Sequence, residues 1–267
     1  MPYTKNKGVR IYWEEEGSGE PLLMIMGLSF SLAMWGELRG ILTRHFRAIL
    51  LDNRGAGKSA VPLHLFSIPE MASDAACVLD AAGVQSTDVI GLSMGGMIAQ
   101  ELTLRHPERV RRLVLGCTLC GGPNAVPPDK RAMHALRFPF MTRERRLRAM
   151  LPLIYHPQTP KERIDRDVDI LRRNKPSVLG YLLQFGAILK WDSYESLPSI
   201  QSPTLVMHGD SDGLIPVANA RIIASRIPGA KLVIIPDASH LFPVDQPEIT
   251  RNTLLDFLAG AVANPAA

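Results

Sequence analysis

The chain has 267 residues, 46% hydrophobic and 21% charged, with 21 Gly and 21 Pro, a composition that supports a large buried core and excludes a disordered or fibrous chain. No apolar run reaches the roughly 18 residues of a membrane helix, since the best stretch, Leu22 to Met34, is broken by Gly27, Ser29 and Ser31, and a membrane-embedded protein is excluded. The net charge is +4, but 14 Lys and Arg stand against 8 Asp and Glu between Pro123 and Ser196, interleaved as in Lys161-Glu162-Arg163-Ile164-Asp165-Arg166, which marks solvated helix faces rather than a nucleic-acid track.

The N-terminal segment alternates Val9, Ile11 and Trp13 before the acidic run Glu14 to Glu16 and lacks the apolar region and cleavage site of an export signal. Three cysteines, Cys77, Cys117 and Cys120, are too few for a disulfide framework, so a cytoplasmic location is expected. Six short runs read as strands buried on both faces: Leu22 to Met26, Ala48 to Leu51, Val89 to Leu92, Leu113 to Leu115, Thr204 to Met207 and Leu232 to Ile235. Between them lie helical spacings, as in Met71, Ala75, Val78, Leu79 and Ala82, then Met94, Met97, Ile98 and Leu102, closed by His106-Pro107. This alternation predicts an α/β fold with a doubly wound, mostly parallel sheet. It breaks at Gly121-Gly122-Pro123, where a helical stretch rich in Arg, Leu and Met begins, and resumes at Ser202-Pro203-Thr204. The expected organisation is therefore a core of residues 1–122 and 197–267 with a helical cap, 123–196, inserted in it.

The strongest chemical signal is Gly91-Leu92-Ser93-Met94-Gly95, directly after a predicted strand and before a predicted helix. A serine on so sharp a turn is forced into a strained backbone conformation, tolerable when the residues two before and two after lack bulk. Met94 opens the helix, so its N–H is free of the helix ladder and points to where a developing oxyanion would sit. Asp52-Asn53-Arg54-Gly55-Ala56-Gly57-Lys58-Ser59 carries part of a phosphate-binding pattern, but the leading Gly of that pattern is replaced by Asp52, whose carboxylate would repel phosphate.

Together these motifs resemble the α/β-hydrolase superfamily along nearly the whole chain. The 52–59 segment resembles that family's D-x-R-G-x-G-x-S loop, an architectural element. The resemblance implies a nucleophile, acid and base in the order Ser, Asp, His. His208-Gly209-Asp210-Ser211-Asp212-Gly213-Leu214-Ile215-Pro216 resembles the family's G-x-x-D-x-x-x-P acid loop, whose spacing selects Asp212, while Asp210 suits a turn-forming hydrogen bond. His240, in Asp237-Ala238-Ser239-His240-Leu241, resembles the family's histidine loop and alone lies downstream of Asp212. For His45, His64, His106, His134, His156 and His208 a structural role is expected. By position in the family the second oxyanion donor is the backbone N–H of Leu28, where Met26-Gly27 replaces the usual His-Gly pair.

No histidine pair has metal-ligand spacing, and neither metal nor cofactor is expected. Cys117-Thr118-Leu119-Cys120 is a lone C-x-x-C followed by Gly121-Gly122-Pro123 rather than a helix, so packing or pocket lining is expected of it, not redox work. The cap contributes an apolar set, Met133, Leu136, Phe138, Phe140, Met141, Met150, Leu151, Leu182, Leu183, Phe185, Ile188, Leu189 and Trp191, of which some should wall a pocket above Ser93. The expected activity is hydrolysis of a small-molecule ester or lactone through Ser93, Asp212 and His240 and an acyl-enzyme, by a monomer or homodimer. A hydrolase of carbon-carbon bonds in ring-cleavage products, with the same triad, and a slow-turnover ligand sensor on the same fold are the alternatives. The apolar cap favours neutral substrates; a cap arginine facing Ser93 would favour acidic ones.

Overall fold

Each of the six runs read as strands becomes one in the computed structural model, which describes residues 2–137, 142–174 and 177–260. They are β3 (Pro21–Ile25), β4 (Arg47–Leu51), β5 (Thr87–Leu92), β6 (Val110–Gly116), β7 (Thr204–Gly209) and β8 (Lys231–Ile235). Two more strands precede them, β1 (Tyr3–Asn6) and β2 (Val9–Glu16). These pair antiparallel across a turn in which Lys7 and Gly8 both take positive φ, +47° and +82°, as a two-residue hairpin requires. The alternation at Val9, Ile11 and Trp13 was the visible trace of β2.

The sheet has eight strands in the order β1-β2-β4-β3-β5-β6-β7-β8. Pairing is antiparallel at β1–β2 and β2–β4 and parallel across the rest. The chain leaves β3 to one side to form β4 and returns to its other side as β5, so the carboxyl ends of β3 and β5 flank the point where the winding reverses, the place where such sheets form a crevice.

Period-two alternation along the strands builds two cores. Leu23, Ile25, Val89, Leu113, Leu115 and Val206 pack with α2 (Ile68–Ala81), α3 (Met94–Arg105) and α8 (Ala218–Arg226). Leu22, Met24, Ile90, Val114, Leu205 and Met207 pack on the other face with α1 (Gly36–Leu42) and α10 (Pro247–Leu258). Four helices, α4 (Lys130–Arg137), α5 (Arg143–Ile154), α6 (Lys161–Arg173) and α7 (Val178–Leu189), stand between β6 and β7; the short α9 (Phe242–Asp245) follows β8. The inserted helices lie against the carboxyl edge of the sheet, with Gly180 of α7 so close to Gly55 that a methyl on it would come 2.0 Å from the Gly55 carbonyl oxygen. Among the described residues no helix is long and apolar enough to cross a membrane.

Candidate active site

Between Leu92, the last residue of β5, and Met94, the first of α3, Ser93 makes the turn alone, with φ +57° and ψ −123°. Such a conformation costs a non-glycine residue about 1–3 kcal/mol and persists only where its surroundings impose it. Ser93 N–H donates to Gly116 O at 2.8 Å, and Thr118 Oγ1 donates to Ser93 O at 2.7 Å. The turn is also too tight for side chains: a methyl on Gly91 would lie 2.3 Å from Gly95 O, and one on Gly95 would lie 2.1 Å from Ile25 O. The β3 loop lies alongside, since a methyl on Gly27 would stand 3.0 Å from Ser93 Cβ and 3.4 Å from Ser93 Oγ. The backbones of Leu28 and Met94 thus flank Ser93, and Met94 N–H, at the first position of α3, has no ladder partner.

Asp212 and His240 come from the loops after β7 and β8. His240 Nδ1 lies 2.8 Å from Asp212 Oδ2, and both side chains are buried. Asp212 Oδ1 accepts the Leu214 and Ile215 N–H groups at 2.8 and 2.9 Å. A second histidine also reaches this carboxylate, with His208 Nε2 3.0 Å from Oδ2 and 2.9 Å from Ile215 O. Burial by itself would push the Asp212 carboxyl up, but the charge of His240 and the hydrogen bonds of His208 and His240 outweigh it and hold it well below the usual carboxylate range. Asp212 is therefore an anion at neutral pH. Asp210 is exposed and turned away, accepting from Ser211 Oγ at 2.8 Å and from the Asp237 and Ala238 N–H groups at 3.3 and 3.4 Å.

The His240 loop is clamped on both sides by the end of α5: Ser239 Oγ donates to Leu153 O at 2.9 Å and Leu241 N–H to Ile154 O at 2.8 Å. Asp245 accepts from Ser239 N–H at 2.7 Å and from Thr159 Oγ1 at 2.5 Å, joining the same loop to the start of α6. The β3 loop is held in a similar way. Asn53 Nδ2 donates to Met26 O at 2.7 Å, while Gln184 of α7, wholly buried, accepts from Ser29 N–H at 2.7 Å and donates to Arg54 O at 2.8 Å. Arg54 in turn makes a two-pronged bond to Asp74 at 2.6 and 2.7 Å. The 52–59 segment thus works as scaffold, and the inserted helices fix both loops that border Ser93.

Ser93 and His240 open on one cavity of about 110 Å³. No Ser93–His240 hydrogen bond is present among the described residues, as is common where catalytic contacts tighten only around substrate. The walls include Met26, Phe30, Met34, Leu92, Ala135, Leu136, Leu147, Met150, Ile154, Ile170, Leu171, Leu214 and Leu241, with Ser29, Ser31, Cys117, Asn174 and Tyr181 as polar members beside Ser93 and His240. Among the described residues no Lys, Arg, Asp or Glu lines it. Two arginines of α6 are engaged outside it, Arg163 donating to Val244 O at 3.1 Å and Arg166 paired with Glu37.

The structure therefore brings Ser93, Asp212, His240 and the Leu28 and Met94 backbones to one edge of the sheet. Of the apolar residues expected above Ser93, Leu136 and Met150 line the cavity, whereas Leu182 and Leu189 are exposed and Leu183 and Trp191 belong to the core beneath. Phe138, Phe140 and Met141 lie outside the described residues. Sequence reasoning missed the lining from Leu147, Ile154, Ile170 and Leu171 because the facing of a short amphipathic helix depends on what it docks against. His208, taken for a structural strand end, meets Asp212; its position four residues before the aspartate was the available signal. Cys117 lines the cavity and Cys120 lies in the core. Burial and the neighbouring Asp212 charge push the Cys117 thiol far up, and burial pushes Cys120 to about 11, so both are protonated at neutral pH. No cluster of three His, Cys, Asp or Glu side chains suited to a metal ion occurs among the described residues.

Comparison with known proteins places this geometry in context. A family model described as alpha/beta hydrolase fold matches residues 20–247. A protein of Azorhizobium caulinodans named "Putative carbamate hydrolase RutD" is 31% identical, over 96% of this chain and 98% of its own. A poly(3-hydroxyalkanoate) depolymerase of Ectopseudomonas oleovorans is 33% identical over 89% of this chain and 84% of its own. The crystal structure of the enol-lactonase from Burkholderia xenovorans LB400 superposes with a TM-score of 0.87 at 25% identity, covering 97% of this chain and all of that one.

Proposed function

Since this chain belongs to the alpha/beta hydrolase fold family, we propose that it is a serine hydrolase of neutral, largely apolar carboxylic esters or lactones. The observation that carries the reading is the Asp212–His240 pair at 2.8 Å, whose histidine opens on the same cavity as the strained Ser93, with no charged residue lining it among the described residues. Ser93 Oγ attacks the acyl carbon and its proton passes to His240 Nε2, the ring nitrogen opposite the one facing Asp212. The anionic Asp212 keeps the imidazole oriented and stabilises the cation that forms. The negative charge arising on the acyl oxygen is received by the Leu28 and Met94 N–H groups. Collapse breaks the bond to the alkoxy oxygen, which takes the proton from His240 and leaves an acyl group on Ser93. Water, deprotonated by His240, then releases the acid and restores the serine.

The relatives' names span a carbamate and a polyester, each an acyl carbon bound to a heteroatom, and the apolar lining supports the ester end of that range. A fluorophosphonate is expected to add covalently to Ser93, and Ser93→Ala to lose about four to six orders of magnitude in turnover of a short p-nitrophenyl ester. Peptide mass spectrometry that located the adduct on a different serine would end the proposal.

A further inference from the structure

A second cavity, of about 280 Å³, lies directly beside the one that holds Ser93. Met26, Met34, Leu92, Ile170 and Leu241 line both, so the wall the two share is apolar and includes the residue before Ser93 and the residue after His240. Two of the five are methionines, unbranched and easily rearranged, the side chains that most readily yield to an incoming chain. The turn Leu32–Trp35 carries the connection: Ser31 before it faces the first cavity, Met34 lies in the shared wall and Trp35 lines the second.

The charges around the second cavity are engaged. Arg166 pairs with Glu37, Asp167 accepts from Tyr155 OH at 2.7 Å, and Arg163 donates to the Val244 and Asp245 carbonyls. One polar atom stands apart. Trp35 is 3% exposed, and its indole Nε1 has no hydrogen-bond partner. A buried donor left unpaired costs about 1–3 kcal/mol, which a bound acceptor would relieve. Trp35 Nε1 is a donor only, so the group that suits it carries an oxygen acceptor, and with the named charges already engaged that group is neutral.

We propose that the second cavity is a subsite of the Ser93 site, reached past Met26 and Met34, that takes the far part of an elongated, uncharged acyl chain bearing a carbonyl oxygen met by Trp35 Nε1. The proposal rests on Ser93 as nucleophile.

Labelling with a p-nitrophenyl decylphosphonate and solving the crystal structure tests it directly: the alkyl chain is expected to run past Met34 into the second cavity, and a chain confined to the first cavity or leaving by another path overturns the proposal. Kinetics give an independent test with the p-nitrophenyl esters of butanoate, decanoate and two chains of decanoate's length, one interrupted by an ester and one by a ketone. Met34→Trp should lower the decanoate-to-butanoate ratio of kcat/KM about tenfold, and Met34→Ala should raise it; a ratio that stays within about twofold in the alanine variant overturns the subsite even if the tryptophan variant fails to fold. Trp35→Phe should reduce the preference for the carbonyl-bearing chains over decanoate about fivefold, the ester and ketone probes telling which carbonyl fits, and an unchanged preference for both overturns the assigned acceptor. Failure of the phosphonate to label Ser93, together with no turnover of butanoate, would instead remove the serine-hydrolase reading and the subsite with it.

Discussion

Two aspartates two residues apart, Asp210 and Asp212, differ in everything but chemistry. Asp212 is buried among four donors, while Asp210 ties one exposed turn to another. Asp212→Asn should therefore cost about four orders of magnitude in kcat/KM, because the amide favours the wrong imidazole tautomer and removes the charge, and Asp210→Asn less than about tenfold. The opposite ranking in steady-state assays would show that the carboxylate nearest His240 is not the working acid. His208 gives a prediction in pH. Because the Asp212 carboxyl is depressed in the folded chain, it contributes stability that is present above the ordinary carboxylate value and lost as pH falls through the lower, folded one. Removing the His208 donor with His208→Phe brings the folded value back toward the ordinary one, so the acid midpoint of unfolding, followed by circular dichroism, should move to higher pH. The buried His208 Nδ1 has no partner, so a phenyl ring strands nothing on that side.

At the level of elements, the strand-turn-helix unit around Ser93 works because backbone replaces side chains. β3, β5 and α3 approach so closely that Gly95→Ala would drive a methyl to 2.1 Å from Ile25 O and 2.9 Å from Met26 O. Neither carbonyl can move without shifting β3 in the sheet. Gly40, inside α1, has nothing within 4 Å of the same added methyl. Gly95→Ala should cost at least about 2 kcal/mol and lower Tm by roughly 5 °C or more, while Gly40→Ala should be neutral or raise stability by up to about 1 kcal/mol. Paired thermal melts decide this, and equal behaviour of the two variants would contradict the close approach.

For the molecule as a whole, the inserted helices decide what reaches Ser93 and how firmly its loops are held. Gln184, Leu153 and Ile154 fasten the loops from β3 and β8 to that layer, and the same layer supplies cavity walls without a charge among the described residues. A free carboxylate placed there would lose its hydration without gaining a partner, a cost of several kcal/mol. For a matched pair sharing one scissile bond, the neutral ester should therefore exceed the free acid in kcat/KM by at least about tenfold. A tenfold preference for the acid would show that a cation reaches the site.

What the sequence determined by itself is what is written within a few turns of chain. The apolar runs and periods marked the six parallel strands and the helices between them, and the glycines around Ser93 marked a turn that no bulkier residues allow. β2 was legible only as an alternation and β1 not at all, because a half-exposed hairpin at the sheet edge carries less apolar signal than a strand buried on both faces. What only the tertiary structure decided depends on residues far apart meeting. His208 reaches Asp212 because a tight loop folds it back, and Gln184 reaches Ser29 across 155 positions. Whether Arg163 and Arg166 face Ser93 or point away from it is settled by docking against α1 and the loop after β8, through Glu37, Val244 and Asp245. A charged, amphipathic helix has several faces of similar character, and only the surface it packs against selects the one turned inward.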